Sequence, residues 1–402
     1  MTIEIRPPAD DDELRAAMTA AEVAFGSGAI EDEDWTRERE ALPVSRALAA
    51  FDAEKPVGLT GAYAFDLTIP GGELPCAGVT WVGVVPTHRR RGILRDLMRH
   101  QLEDVHASRE PIAALWASES SIYGRFGYGQ AASAAEARSD RARFALRNPA
   151  TGVVRLVDAD EALRLFPPVY ERVRDRRSGM LSRDERWWKE HKLADPESWR
   201  RGASRKFYAV VEIDGSVEGY TYYRIKDEWE DGFAKGEVRV IEALATSVEA
   251  EKALWSFLHG IDLVASVHVY QFDLGSPLPF LVEDPRALNR RIGDGLWLRL
   301  VDLDAALRAR SYKTADSVVI EVTDELCPWN AGRYRVGNDA GRTDDTADLA
   351  LDVRELASAY LGGHDFYALA HAGLVEERFD GAVERASLLF RTELPPYCPE
   401  VF

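Results

Sequence analysis

The chain has 402 residues, 46% of them hydrophobic and 29% charged, with a formal net charge of −18. This length suits two or three domains, and the composition is that of a globular protein with no stretch approaching the ~20 uninterrupted apolar residues of a membrane span. The excess of acid, 68 Asp and Glu against 50 Lys and Arg, disfavours general nucleic-acid binding; it suits a small cationic partner and equally well a surface that is acidic only for solubility.

The opening MTIEIRPPADDDELRAAM carries early acids and prolines in place of the basic-then-apolar order of a secretory signal. Cys76, Cys327 and Cys398 are odd in number and far apart, which fits a reducing cytoplasm rather than a disulfide framework. Residues 10–24 read as a helix, and a strand is predicted at Arg46–Asp52. Two long β segments follow, Val57–Ile69 and Leu74–Val85, joined by the turn-forming Pro70–Gly72. From Gly92 the period changes. Ile93, Leu94, Leu97, Met98, Leu102 and Val105 recur at helical spacing, so one apolar face is expected to run to about Arg109. Pro111–Ser118, PIAALWAS, reads as a short buried strand, and SSIYGRFG after it as a short helix or turn. Strand, basic glycine turn, amphipathic helix, strand: this order predicts mixed α/β with a ligand-sized opening where the strands end.

A second block begins near Val153. Phe207–Ile225 reads as a hairpin turning at Asp214-Gly215, followed by GEVRVIEALAT as a strand, SVEAEKALWSFLHG as a helix and SVHVYQFDL as a further strand. The order repeats that of the first block. Gly61 opens GAYAF and Gly219 opens GYTYY, and the spacing from Gly61 to Gly92 lands, from Gly219, on Ala250. There the arginines and the glycine give way to TSVEAEKAL, so a copy without phosphate chemistry is expected, although a β-β-α order also recurs by chance. The third block, Leu303–Phe402, reads as strands SVVIEVTD, RYRVGN and TADLALDV mixed with helices at VRELASAYLGG, YALAHAGLV and GAVERASLLFR.

The segment HRRRGILRDL, His88–Leu97, concentrates four arginines in this acidic chain. An arginine cluster is ordinarily a solvated face. Phosphates, however, need converging backbone N–H donors, which a helix N-terminus supplies, a glycine that allows close approach, and cations around the rim. RRRGIL between a β segment and an amphipathic helix meets those needs. Neither a Walker A loop nor a dinucleotide G-x-G-x-x-G fingerprint is present.

The segment resembles the acyl-CoA-binding signature Q/R-x-x-G-x-G/A of the GNAT superfamily of N-acetyltransferases, with Arg89 in the first position, Gly92 as the glycine and Leu94 in place of the final small residue. WVGVVPTHRRRGILRDLM followed by ALWASESSIYGRFGYG narrows the resemblance to the Eis (enhanced intracellular survival) family of aminoglycoside and lysine acetyltransferases, over the whole chain. That resemblance implies an α/β (α+β) fold of tandem GNAT-like domains, active at 1–150 and degenerate at 151–302, then a sterol-carrier-protein-like α+β domain at 303–402. It further implies acetyl-CoA as donor, acetylation at several amines of one substrate, and a homo-oligomer, hexameric in the family.

Acetyl transfer from a thioester to an amine needs a held donor, a deprotonated amine, a stabilised oxyanion and a proton for the departing thiolate. By the resemblance, backbone groups of Val82 and Val84 bind the donor, and Arg89, Arg90, Arg91, Gly92, Ile93, Leu94 and Arg95 form its pyrophosphate turn. Tyr123 matches the general acid; a phenol of pKa about 10 giving its proton to a thiolate whose thiol sits near 8.5 runs roughly 2 kcal/mol uphill. Ser118 falls near the donor sulfur. Phe25, Trp35 (in the loop after the first helix), Trp81 and Trp116 match acceptor-site aromatics, with Asp294 and Glu400 as candidate acids for ammonium groups. Trp116 stands where relatives often have histidine. Taken as residues alone, the valines read as plain buried strand, Tyr123 and the tryptophans as packing, and Ser118 as a helix cap.

The chain ends in PPYCPEVF. Prolines stiffen this tail and it finishes on two apolar residues, so the Phe402 ring is expected to be buried and its α-carboxylate delivered to a defined place. By the resemblance that place is the active site, where the carboxylate takes the amine's proton. Metal is not expected, since the eight histidines form no H-E-x-x-H and no Cys/His spacing. Two rival functions remain open from sequence. One is a non-catalytic acyl-CoA or lipid carrier built on the third block, against which the polar NDAGRTDDTAD argues. The other is a nucleic-acid-binding regulator, against which the acid excess argues.

Overall fold

The computed structural model describes residues 3–402, which form two compact units. One runs to Ala132 and takes in Gly295–Pro396 and Glu400–Phe402; the other comprises Ser133–Asp294 and Tyr397–Pro399.

In the first unit, strands β1 (Ile3–Arg6), β2 (Ala47–Asp52), β3 (Lys55–Ile69), β4 (Gly72–Val84) and β5 (Ile112–Trp116) lie in that order in a seven-stranded sheet, which Leu296–Leu300 and Gly129–Gln130 complete. All pairings are antiparallel except β4 with β5. Helix α1 (Asp11–Ala24) starts where Asp10 accepts from the Glu13 N–H at 2.9 Å, with three acids in the first turn favoured by the helix dipole. Leu14, Ala17, Met18 and Ala21 form its buried stripe. The stripe comes so close to β4 that a Cβ on Gly83 would stand 3.2 Å from the Ala21 backbone. Helix α2 (Asp32–Ala41) is almost entirely polar, α3 (Ile93–Ala107) buries Ile93, Leu97, Met98, Leu102 and Val105, and α4 (Ser120–Tyr123) is a single turn.

The same unit contains a second, five-stranded sheet built from Val318–Thr323, Gly332–Val336, Gly341–Arg342, Leu349–Asp352 and Val375–Glu377, with helices at Leu303–Ala309, Val353–Tyr360, Phe366–His371 and Ala382–Phe390. A fully buried ion pair ties its segment to the first sheet: Arg299 donates to both oxygens of Asp324 at 2.7 and 2.8 Å, and Asn330 donates to the same carboxylate. Removing one member of such a pair strands a charge in the core, at a cost of about 3–5 kcal/mol.

The second unit holds a seven-stranded sheet, with Gly236–Ala245 and Val264–Phe272 as its parallel pair and helix Val248–Gly260 between them in sequence, and a small two-stranded ribbon of Trp229–Glu230 with Phe233–Ala234. The predicted hairpin is present, Phe207–Ile213 with Ser216–Lys226. The strand–helix–strand order of the first unit therefore recurs. Its helix starts at Ser247, whose hydroxyl accepts from the Ala250 N–H at 3.3 Å. The position corresponding to Gly92 is thus Ser247, three residues before the Ala250 that counting along the sequence suggests.

Candidate active site

The β4–β5 ladder is short. It joins Cys76, Ala77 and Gly78 to Ile112, Ala113 and Ala114, and then stops. Beyond Gly78, β4 stays paired with β3 alone, through a bulge at which Trp81 and Val82 face the single residue Thr60. The strands splay, and backbone groups of Val79–Val84 on the β5 side are left without a β-ladder partner. An open cleft of about 400 Å³ lies here, lined by Val79–Val82 on one wall and Trp116, Ala117 and Ser118 on the other. Tyr123, Phe25, Glu22, Val401 and Phe402 complete it.

Tyr123 is buried on α4, its ring edge-on to Tyr128 at 6.0 Å. Burial pushes its phenol up to about 12, with a hydrogen bond from Ser118 pulling the other way and the Glu119 charge adding to the rise. A phenol so placed stays protonated at every physiological pH, as a proton donor must. Phe402 also lines the cleft. Its ring is half-buried, 5.4 Å from Phe65 and 6.4 Å from Tyr63 between centroids, so the tail is seated rather than frayed.

Several other residues singled out in the sequence also fall in the cleft: Phe25, Trp81, Val82, Trp116 and Ser118. Val84 is not among the lining residues; its side chain packs inward with Leu48, Val57, Ile93 and Leu97, as a buried strand residue does, which does not bear on its backbone groups. Trp35 lies on helix α2 rather than in a loop, is buried, and does not line the cleft. Glu400 is buried beside the two lining residues Val401 and Phe402, and Asp294 is an exposed residue of the second unit. Glu22 had no signal of its own in the composition. It sits in the last turn of α1, one turn before Phe25, where the dipole favours a base over an acid, and its carboxylate makes no hydrogen bond or ion pair among the described residues. The lining contains Glu22 and the chain's terminal residue, and no Lys, Arg or His.

The basic turn follows β4. Gly92, at φ +85°, is the N-cap of α3, and no side chain caps that helix, so its first N–H groups point out unclaimed by a side chain. Arg89 donates to the Ala24 carbonyl at 2.9 Å, His88 is 3.0 Å from Asp52, and Arg95 leans on Asp96 at 3.1 Å. Arg90 and Arg91 are exposed and make no ion pair among the described residues. Ile93 is core and Leu94 half-buried.

Comparison with known proteins is consistent with this geometry. Acetyltransferase (GNAT) domain patterns match residues 4–131 and 179–300, and a sterol carrier protein domain pattern matches 303–399. An uncharacterized N-acetyltransferase of Streptomyces coelicolor is 42% identical over 392 residues, covering 94% of this chain and 95% of the relative. N-acetyltransferase Eis of Mycobacterium tuberculosis is 35% identical over 415 residues, 98% of either chain. The chain belongs to the Eis family of N-acetyltransferases. The crystal structure of Eis1 from Mycobacterium abscessus superposes with a TM-score of 0.87 at 37% identity, over the whole of both chains. As an Eis-family acetyltransferase the protein has two GNAT domains and a sterol-carrier-like third, and acetyl-CoA is the donor such enzymes use. No helix among the described residues is long and apolar enough to cross a membrane, and no metal-holding cluster of His, Cys, Asp or Glu is found among them.

Proposed function

We propose that the chain transfers acetyl from acetyl-CoA directly to a primary amine of a small cationic acceptor, such as an aminoglycoside, a polyamine or a lysine side chain. Tyr123 is the general acid and the Phe402 α-carboxylate the proton acceptor. The observation that carries this is the convergence of Tyr123 and Phe402 on one cleft at the splay of β4 and β5. When bound, acetyl-CoA supplies the activated acyl group. The β4 backbone near Val82, which has no ladder partner on the β5 side, would hold and polarise it, and the uncapped start of α3 would hold its phosphates, with Arg90 and Arg91 neutralising outer charge. Glu22 and the terminal carboxylate suit ammonium groups, and Phe25, Trp81 and Trp116 offer the aromatic faces on which cations rest. The three free cysteines support a reducing, cytoplasmic setting, and the Eis resemblance a homo-oligomer, hexameric as in that family. The test is thiol release from acetyl-CoA in the presence of each amine class; a protein releasing none with any of them is not this enzyme.

Gly92→Asp is expected to weaken acetyl-CoA about thirty-fold or more while the protein stays folded. A Cβ at Gly92 meets nothing closer than 3.4 Å, and aspartate is among the residues that tolerate positive φ. Its carboxylate would settle on the same N–H groups that the phosphates need. Calorimetry on a variant with a wild-type melting curve checks this, and undiminished affinity would remove the turn from the donor site.

One acetyl-CoA per chain is expected. In the second unit the parallel ladder also ends, at Val240 and Val269, but the space beyond is filled. Glu242 takes Arg183 at 2.6 and 2.9 Å, the Tyr397 hydroxyl donates to the Gln271 carbonyl at 2.9 Å, and Ser247 caps the helix. Equilibrium dialysis yielding two donors per chain would contradict it.

A further inference from the structure

Trp81 has φ +57°, inside a strand and at the bulge that shapes the cleft. L side chains rarely adopt that conformation, a bulky aromatic least of all, and it persists only where the surroundings over-determine it. The restraint comes from helix α2. The indole Nε1–H lies 3.4 Å from Glu38 Oε2 and 3.3 Å from the Tyr63 hydroxyl, and that hydroxyl donates to the same Oε2 at 2.6 Å. Tyr63 in turn presents its ring edge to Phe402. One carboxylate therefore joins three elements, α2, β3 and β4, and through Tyr63 touches the seat of the terminal residue.

The local sequence explains why this carboxylate is available. In DEDWTREREA the two flanking cations are engaged elsewhere, Arg37 by Glu33 at 2.9 Å and by Asp34, and Arg39 by Asp11 at 3.8 Å, so Glu38 turns to neutral donors. The residue is half-exposed, yet its carboxylate is desolvated, which raises its carboxyl above the usual range while the bonds from Tyr63 and Trp81 pull it back. A desolvated acid held by two neutral donors is poorly justified by stability alone. It is justified if it places groups that matter.

We propose that Glu38 is a positioning residue for the acceptor end of the cleft: it clamps the strained Trp81 bulge and the Tyr63 ring against which Phe402 rests, and so sets how tightly an amine is held. The role is one of hydrogen-bond reach, not of charge offered to the substrate, since Glu38 itself does not line the cleft. The proposal rests on the acetyltransferase reading above, and wild-type thiol release tests that reading separately.

The experiment compares E38Q, E38D and E38A, with spermidine as acceptor probe, by steady-state kinetics, by calorimetric binding of spermidine without donor, and by calorimetric binding of acetyl-CoA. E38Q keeps the reach and an accepting oxygen but loses the charge. E38D keeps the charge and withdraws the oxygens by one methylene. Expected are a tenfold or greater rise in the acceptor KM and Kd for E38D and E38A, recovery to within about threefold of wild type for E38Q, and an acetyl-CoA Kd within twofold throughout. An acceptor KM and Kd unchanged in E38D and E38A would overturn the proposal. So would E38Q failing as badly as E38A, because charge rather than reach would then be in use. Should E38A not fold, E38D against E38Q decides alone.

Discussion

Tyr123→Phe is expected to lower turnover by about 10²- to 10⁴-fold and to leave acetyl-CoA affinity close to wild type, the scale of a lost general acid. The ring is held by packing: it is buried, edge-on to Tyr128, and belongs to the cluster of Met98, Leu102, Leu115 and Phe126. Phenylalanine keeps all of that and removes only the hydroxyl and its bond with Ser118. A phenol raised to about 12 giving its proton to a thiolate with a thiol near 8.5 faces about 5 kcal/mol. The raised value also fixes the sign of the pH dependence. The acid is in its working, protonated form below its pKa, so kcat/KM should climb as the acceptor amine deprotonates, with no falling limb from Tyr123 up to about pH 10.5. A falling limb near pH 9 that disappears in the phenylalanine variant would show the phenol to be less buried than it is here; a loss of only a few-fold in turnover would return Tyr123 to packing.

Adding one or two residues after Phe402 is expected to reduce turnover about 10²- to 10³-fold with acetyl-CoA binding within twofold of wild type. The extension leaves every side chain in place and moves only the terminal charge. With an ordinary pKa of about 3.5 an α-carboxylate is a weak base, so most of its worth is in pairing with the incoming ammonium and orienting it. Charge-assisted contacts of this kind contribute about 1.5–3 kcal/mol each, and lost proton acceptance adds to that. The ring of Phe402 has its seat on Phe65 and Tyr63 regardless, so the extended chain should keep its fold. An extended enzyme working at full rate would falsify the assignment.

The parts of this molecule that sequence reveals are those whose information is local. Helix α1 announces itself by Asp10 and three following acids, α3 by apolar residues every three or four positions, and the hairpins by Pro70–Gly72 and Asp214-Gly215. Helix α2 has no such stripe. Only Trp35 and Arg37 are buried in it, so DEDWTREREA reads as a polar loop. Ser133–Asp140, SAAEARSD, lacks the β-branched and aromatic residues that mark a strand, and becomes one because the sheet of its unit has a place for it between Arg290–Asp294 and Val264–Phe272. Of the candidate site, the basic turn after β4 and the IYGRFG stretch are legible as motifs. The Trp81 bulge, the free carboxylate of Glu22 and the grip of Glu38 are not, because each depends on what another element brings to it.

The strand Leu296–Leu300 lies between β5 and Gly129–Gln130 in the first sheet. About 165 residues separate Gln130 from that strand, so a nascent chain emerging at ~5–20 residues per second must wait about ten to thirty seconds before it can be placed. Through that interval β5, with the apolar sequence IAALW, is bonded on its β4 side alone and offers an open edge to any passing chain. Biogenesis of this enzyme should therefore depend on holding factors at the ribosome exit, and fragments ending near residue 132 should aggregate when expressed alone. Slowing translation within 133–294 would lengthen the hazard, whereas rearranging the gene so that Leu296–Leu300 is made next to Gln130 would shorten it.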